Sequence, residues 1–162
     1  MSLKHPIISV VGSSGAGTST VKHTFDQIFR REGITAASIE GDAFHRYDRV
    51  AMKAEMTKRL AANDQKFSHF SVDANLLDEL AAQFRAYSHE GRCKTRQYVH
   101  DEGEAEKYGS SPGTFTDWRE IGEGSDVLFY EGLHGAVKMD GVDVASHADL
   151  KIGVVPVINL EW

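Results

Sequence analysis

Cysteine is almost missing from this sequence. Its single occurrence, Cys93, excludes an intrachain disulfide, and a reducing cytoplasm is the expected setting. Basic residues are also in deficit: 18 Lys and Arg stand against 24 Asp and Glu, a formal net charge of −6. Binding along a phosphate backbone needs a basic face, so nucleic acid is not expected as the main partner, although a local basic patch can still hold a small phosphate. No apolar run is long enough to span a bilayer, and the N-terminus lacks the charged-then-apolar order of a signal peptide. Neither membrane insertion nor secretion is expected. Internal repeats and low-complexity tracts are absent as well. What is present, 41% hydrophobic and 26% charged residues in a chain of 162, fits a single globular domain that buries its own core.

Short apolar runs alternate with helical patterns. Pro6 to Val11 is β-branched, ends at Gly12 and reads as a buried strand. From Thr20 to Arg31 the spacing predicts a helix with Val21, Phe25, Ile28 and Phe29 on one face, closed by Gly33. Ala36 to Ile39 reads as a second strand, and Arg49 to Ala62 as a helix ended by Asn63-Asp64. A third helix carries Leu76, Leu77, Leu80, Phe84 and Tyr87 on its apolar face, with Gly91 after it. Arg92 to His100 has the alternation of an edge strand, and Asp101 to Gly124 the composition of a long functional loop. Val127 to Tyr130 and Leu150 to Leu160 read as two more buried strands. Such alternation predicts an α/β fold with a mostly parallel sheet and helices on both faces. The ending at Glu161-Trp162, directly after a core strand, suggests the N-terminal portion of a longer protein.

Between the first strand and the first helix lies Gly12-Ser13-Ser14-Gly15-Ala16-Gly17-Thr18-Ser19. It has the frame G-x-x-x-x-G-K-[ST] of a phosphate loop, with Thr18 in the lysine position. Glycines let successive backbone N–H groups turn inward toward phosphate oxygens, and the helix N-terminus adds partial positive charge. Ser19 offers a hydroxyl to a phosphate-bridging Mg²⁺. Thr18 donates only a neutral hydrogen bond, so positive charge must come from elsewhere. A glycine-rich turn without a ligand is the alternative, and the strand–loop–helix order weighs against it.

Asp42 lies just past the second strand, where ligands of open α/β sheets bind. A carboxylate there can take the proton of an attacking hydroxyl, or simply cap a turn. Its neighbourhood, Asp42 to Arg49, gathers His45, Arg46 and Arg49, a suitable lining for a phosphorylated sugar. Glu131 follows an apolar strand in the manner of a Walker B acid, which orients Mg²⁺. His134, three residues on, either faces the same site or caps the next turn. Tyr98 and His100 share one face of the expected edge strand and either reach the sugar phosphate together or are exposed edge polarity. His5, His23, His69, His89 and His147 show no metal-ligand spacing and read as surface or structural, and Cys93 has no helper for a nucleophilic role.

Five segments in order now resemble the bacterial phosphoribulokinase family: Gly12 to Thr20, Glu40 to Arg46, Tyr98-Val99-His100, Phe115-Thr116-Asp117-Trp118, and Leu128 to Gly135. Threonine in the lysine position is itself typical of that branch. The resemblance implies ATP-dependent phosphorylation of D-ribulose 5-phosphate at its C1 hydroxyl, giving ribulose 1,5-bisphosphate for carbon fixation, with Mg²⁺ as cofactor. It implies Asp42 as general base and Glu131 as the Walker B acid. It also places His45, Arg49, Tyr98 and His100 around the sugar phosphate, keeps His134 as a further candidate there, and makes Gly12 to Thr20 the nucleotide site. Arg31 matches a position linked to allosteric control, and the family's bacterial members are typically homo-oligomers regulated by NADH and AMP. They carry further basic residues and a second acid beyond the last strand seen here, so this chain alone is expected to lack part of the site.

Two other readings stay open on the residues. A uridine-kinase-like nucleoside kinase shares the phosphate loop but usually keeps its lysine, and reads a base with aromatic and amide groups. A catalytically silent nucleotide-binding module has no need for Asp42 and Glu131 at the strand ends. A GTPase is disfavoured because no Asn-Lys-x-Asp segment occurs.

Overall fold

The β-branched run near the N-terminus forms strand β1 (Ile7–Gly12), and in this computed structural model, which describes residues 4–156, it stands inside a four-stranded sheet. The other strands are β2 (Ala36–Glu40), β5 (Val127–Gly132) and β8 (Leu150–Val154), in the order β2-β5-β1-β8. All three pairings are parallel. Parallel strands are buried on both faces, which is why Val127 to Tyr130 carries no polar alternation and is buried throughout. Register puts Glu40 beside Glu131 and Gly12 beside Val154, so the carboxyl ends of four strands finish along one rim.

Helices cover both faces, as the alternation predicts. Helix α1 (Thr18–Glu32) packs Val21, Phe25 and Phe29 on Val10, Val127 and Phe129, with Phe25 and Phe129 ring centroids 5.2 Å apart. Ile28, expected on that face, is instead exposed. On the opposite face α3 (Leu77–Glu90) buries Leu80, Phe84 and Tyr87 against Ile7, Ile39, Leu128 and Tyr130. Phe84 meets Tyr130 edge-on at 5.4 Å. Helix α2 (Arg49–Ala61) starts on the Asp48 side chain, which accepts from the Ala51 N–H, and anchors itself through Met52, Phe67 and Ala74.

The middle of the chain departs from expectation. The edge strand read over Arg92 to His100 is regular only as β3 (Cys93–Thr95), which pairs antiparallel with β4 (Arg119–Ile121) in a sheet of its own. The rest is held by loop-to-loop bonds: Val99 exchanges with Thr114 and Gly113, and Tyr98 bridges Phe115. The segment Asp101 to Gly124 therefore contains structure rather than one long loop. It includes α4 (Glu102–Tyr108), capped by the Asp101 side chain on the Glu104 N–H at 2.9 Å and closed by Gly109 in the left-handed conformation. A short hairpin, β6 (Lys138–Met139) with β7 (Val142–Asp143), links β5 to β8. The last strand is shorter than its apolar run: it ends at Val154 before Pro156, and the reading to Leu160 and the ending at Trp162 lie outside the described residues.

Candidate active site

The loop after β1 curls where glycine allows it. Gly15 (φ 80°) and Gly17 (φ 96°) sit in the left-handed region, and Gly17 caps α1, receiving the Thr20 and Val21 N–H groups on its carbonyl. Gly12, Ser13, Ser14, Gly15, Thr18 and Ser19 line a cleft of about 440 Å³ at the sheet's carboxyl rim. Ala16, Gly17 and Thr20 shape the loop and the first helical turn without lining that cleft. Across the rim the Ser19 hydroxyl donates to Glu131 Oε1 at 3.1 Å. Two oxygens of the kind that hold Mg²⁺ thus face each other beside the glycine loop, and the donor set fits a phosphate-bound magnesium. Among the described residues no group of three or more His, Cys, Asp or Glu has an arrangement that could hold a metal ion by itself.

The same cleft is lined by Asp42 and His100. Asp42 rides on a 3-10 turn (Gly41–Phe44) that continues β2, so it leaves the sheet at the rim. Its Oδ2 lies 3.1 Å from His100 Nε2, and its Oδ1 lies 3.5 Å from His45 Nε2. Tyr98 stands with its ring 5.0 Å from His100 and 6.1 Å from His45. Four residues from two segments distant in sequence therefore converge. Burial pulls the His45 pKa below the usual histidine range; Asp42 opposes this, while His69, His134 and His100 add to it. For His100, partial burial acts downward but the bonds to Asp42 and Glu104 outweigh it, so its pKa is raised.

Two candidates sit at the margin. Arg49, the first residue of α2, donates from Nη2 to the His100 carbonyl at 2.8 Å and lines the neighbouring groove with Lys53, Phe67 and His69 rather than the main cleft. His134 donates from Nε2 to the Phe70 carbonyl at 3.2 Å, and its backbone N–H is held by the buried Tyr130 hydroxyl. Its neighbours Gly132 and Leu133 line the cleft. Burial lowers the His134 pKa, so the ring stays neutral over a wider range. Arg31 lies on the last turn of α1, exposed and bonded to Glu32, and is not part of the cleft.

Several contributors were invisible in the motifs. Lys22 lines the cleft, bonds Glu40 at 2.7 Å and feels Glu131. Its signal was helical spacing: it follows Thr18 by four residues and so shares its face. Arg96 holds the turn that carries Asp42, donating to the Ala43 carbonyl (2.8 Å) and the His45 carbonyl (2.7 Å). Its guanidinium stacks 3.6 Å over Phe115 and 4.8 Å from Trp118, which gives the segment Phe115 to Trp118 a physical purpose. His69, read as surface or structural, lies 6.2 Å from the His45 ring. Cys93 is buried and its thiol is pushed up to about 12, which agrees with an inert side chain.

A family model described as the phosphoribulokinase / uridine kinase family matches residues 7–162. The chain belongs to that family. Phosphoribulokinase 1 of Cereibacter sphaeroides is 67% identical over all 162 residues, which are 56% of that protein. A solved structure, the phosphoribulokinase from Rhodobacter spheroides, superposes with a TM-score of 0.86 at 62% identity, covering 98% of this chain and 54% of that one. A possible uridine kinase from Bacillus stearothermophilus (TM-score 0.67, 15% identity, 99% of this chain and 76% of that one) shares the fold alone. The chain spans about half the length of the phosphoribulokinases it matches.

Proposed function

We propose that the protein phosphorylates ribulose 5-phosphate with ATP to give ribulose 1,5-bisphosphate, and that residues 1–162 make up a kinase domain holding the nucleotide and the reacting hydroxyl. The observation that carries this reading is a single cleft lined by Ser19, Glu131, Asp42 and His100, with His45 beside Asp42. A phosphate-gripping end beside a base is what transfer to an alcohol requires, and the names of the relatives supply the acceptor.

Asp42 takes the proton of the C1 hydroxyl as that oxygen bonds the γ-phosphorus and the bond to the departing diphosphate breaks. The loop amides of Gly12 to Thr18 hold the diphosphate, and the N-terminus of α1 stabilises its charge. Ser19 and Glu131 are the residues that would hold Mg²⁺, whose chemistry, when bound, is to neutralise charge growing on the phosphate oxygens. Thr18 offers a neutral hydroxyl, and Lys22 brings a cation one helical turn further on. His45, His100 and Tyr98 orient the sugar, Arg49 meets its phosphate from the adjoining groove, and His134 orders the Phe70 side of the cleft.

Finer parts of the reading belong here too. Among the described residues no helix is long and apolar enough to cross a membrane, and we place the enzyme in the cytoplasm. Homo-oligomeric assembly and control by NADH or AMP through the exposed Arg31 complete the proposal. The test is ADP release by the protein expressed from its complete reading frame, with ribulose 5-phosphate and uridine offered separately. Turnover on ribulose 5-phosphate supports the reading. Turnover on uridine alone would replace it with a nucleoside kinase, and turnover on neither would leave a binding module.

A further inference from the structure

His100 is gripped from two sides. Its Nε2 meets Asp42 Oδ2 at 3.1 Å, and its Nδ1 meets Glu104 Oε2 at 3.1 Å. The same Glu104 oxygen accepts the His100 backbone N–H at 2.8 Å. Glu104 is itself fixed, because its own N–H is held by the Asp101 side chain that starts α4. One carboxylate oxygen therefore holds both the backbone and the ring of the histidine that touches Asp42.

We propose that Glu104 is a positioning residue for phosphoryl transfer, holding the His100 imidazole with its Nε2 toward Asp42. The proposal rests on the reading of Asp42 as the base, and Glu104 itself does not line the cleft. A histidine without an Nδ1 partner rotates freely about its side-chain bonds and divides its proton between two nitrogens. With Glu104 taking the Nδ1–H, the other nitrogen is committed to Asp42. Carboxylate oxygens facing both nitrogens accept a hydrogen bond from each, so the two anions favour the imidazolium form of the ring. That cation keeps the Asp42 oxygen Oδ2 occupied and its charge compensated until the acceptor hydroxyl arrives.

The groups facing His100 are few: Asp42 from the 3-10 turn, His45 behind it, Tyr98 from its own segment, Arg49 from α2 on its carbonyl, and Glu104 from α4. Removing the charge of Glu104 takes away one of the two anions that favour the imidazolium. The ring then loses its proton at lower pH.

The experiment is a double-mutant cycle in the protein expressed from its complete reading frame, read by steady-state kinetics and by NMR titration of the His100 imidazole. Glu104→Gln should lower kcat/KM for ribulose 5-phosphate about tenfold, leave ATP binding unchanged, and move the alkaline limb of the pH profile to lower pH. In a His100→Asn background the same substitution should add nothing, because its effect passes through the ring. The His100 titration should fall in Glu104→Gln. An unchanged titration, or equal losses in both backgrounds, overturns the proposal. Repeating the cycle with Glu104→Asp keeps a misfolded glutamine variant from deciding the outcome. Should the parent protein not turn over ribulose 5-phosphate, the functional reading fails, and the NMR titration still decides whether Glu104 governs His100.

Discussion

The two ends of the cleft are built in different ways. The phosphate end is made by one continuous segment, β1, its glycine loop and the first turn of α1, with Glu131 added from the neighbouring strand. Its shape follows from glycines in left-handed positions. The end proposed to hold the acceptor is assembled from Asp42 and His45 after β2, Arg49 on α2, Tyr98 and His100 in an irregular segment, and Glu104 on α4. Its tools are side chains, and each is held by others distant in sequence. A site of the first kind depends mainly on local conformation. A site of the second kind depends on contacts between distant segments, each of which can be tested singly.

This contrast can be broken or sharpened by experiment. The largest effect is expected at Asp42: Asp42→Asn should cut kcat by roughly 10²–10⁴-fold with ATP binding intact, measured by turnover and by nucleotide titration. Equal loss of both would remove it as the base. Next come the two oxygens of the phosphate end. Ser19→Ala and Glu131→Gln should each raise the Mg²⁺ concentration for half-maximal activity by about tenfold, and a mutant cycle between them should be non-additive.

Arg96 probes the acceptor end from behind. Arg96→Met keeps some of the stacking on Phe115 but strands the Ala43 and His45 carbonyls, so a loss of about 2 kcal/mol in unfolding free energy is expected, together with a drop in kcat. Stability loss without any change in kcat would mean that the Asp42 turn holds its shape unaided. Arg49→Ala should act more weakly, raising KM for the sugar phosphate several-fold with kcat little changed.

The smallest effect is one of pH. Burial lowers the His45 pKa, so the folded state binds fewer protons at this ring than the unfolded chain does. Its contribution to stability is full above the ordinary histidine value and is lost as pH falls from about 6.5 toward the lower folded value. The thermal midpoint of His45→Gln should accordingly fall less steeply between about pH 6.5 and 5 than that of the parent. Identical slopes would show that the ring is not held neutral.

The unequal construction of the two ends also explains what could be read in advance. Gly12 to Ser19 was legible because its conformation is dictated by residues next to one another, and so was Glu131, whose strand is an unbroken apolar run. Asp42 was legible as the residue after a strand. Glu104 and Arg96 were not. Glu104 lies in a segment whose Gly and acidic composition reads as loop, and a seven-residue helix resting on one aspartate cap has little periodicity to show. Arg96 looked like one more polar residue in an alternating stretch until Phe115 and Trp118 came over it.

The sequence by itself determined the parallel strands, the helices on both faces, the glycine loop between β1 and α1 and the places of Asp42 and Glu131 at the strand ends, because period, glycine position and strand ends are local properties. Only the tertiary structure decided that Lys22 pairs with Glu40 at the cleft, that Arg96 secures the Asp42 turn, and that Glu104 and Asp42 hold His100 between them. Those are contacts between side chains of distant segments, and they exist only once the sheet has ordered its strands and brought the connecting loops to one rim.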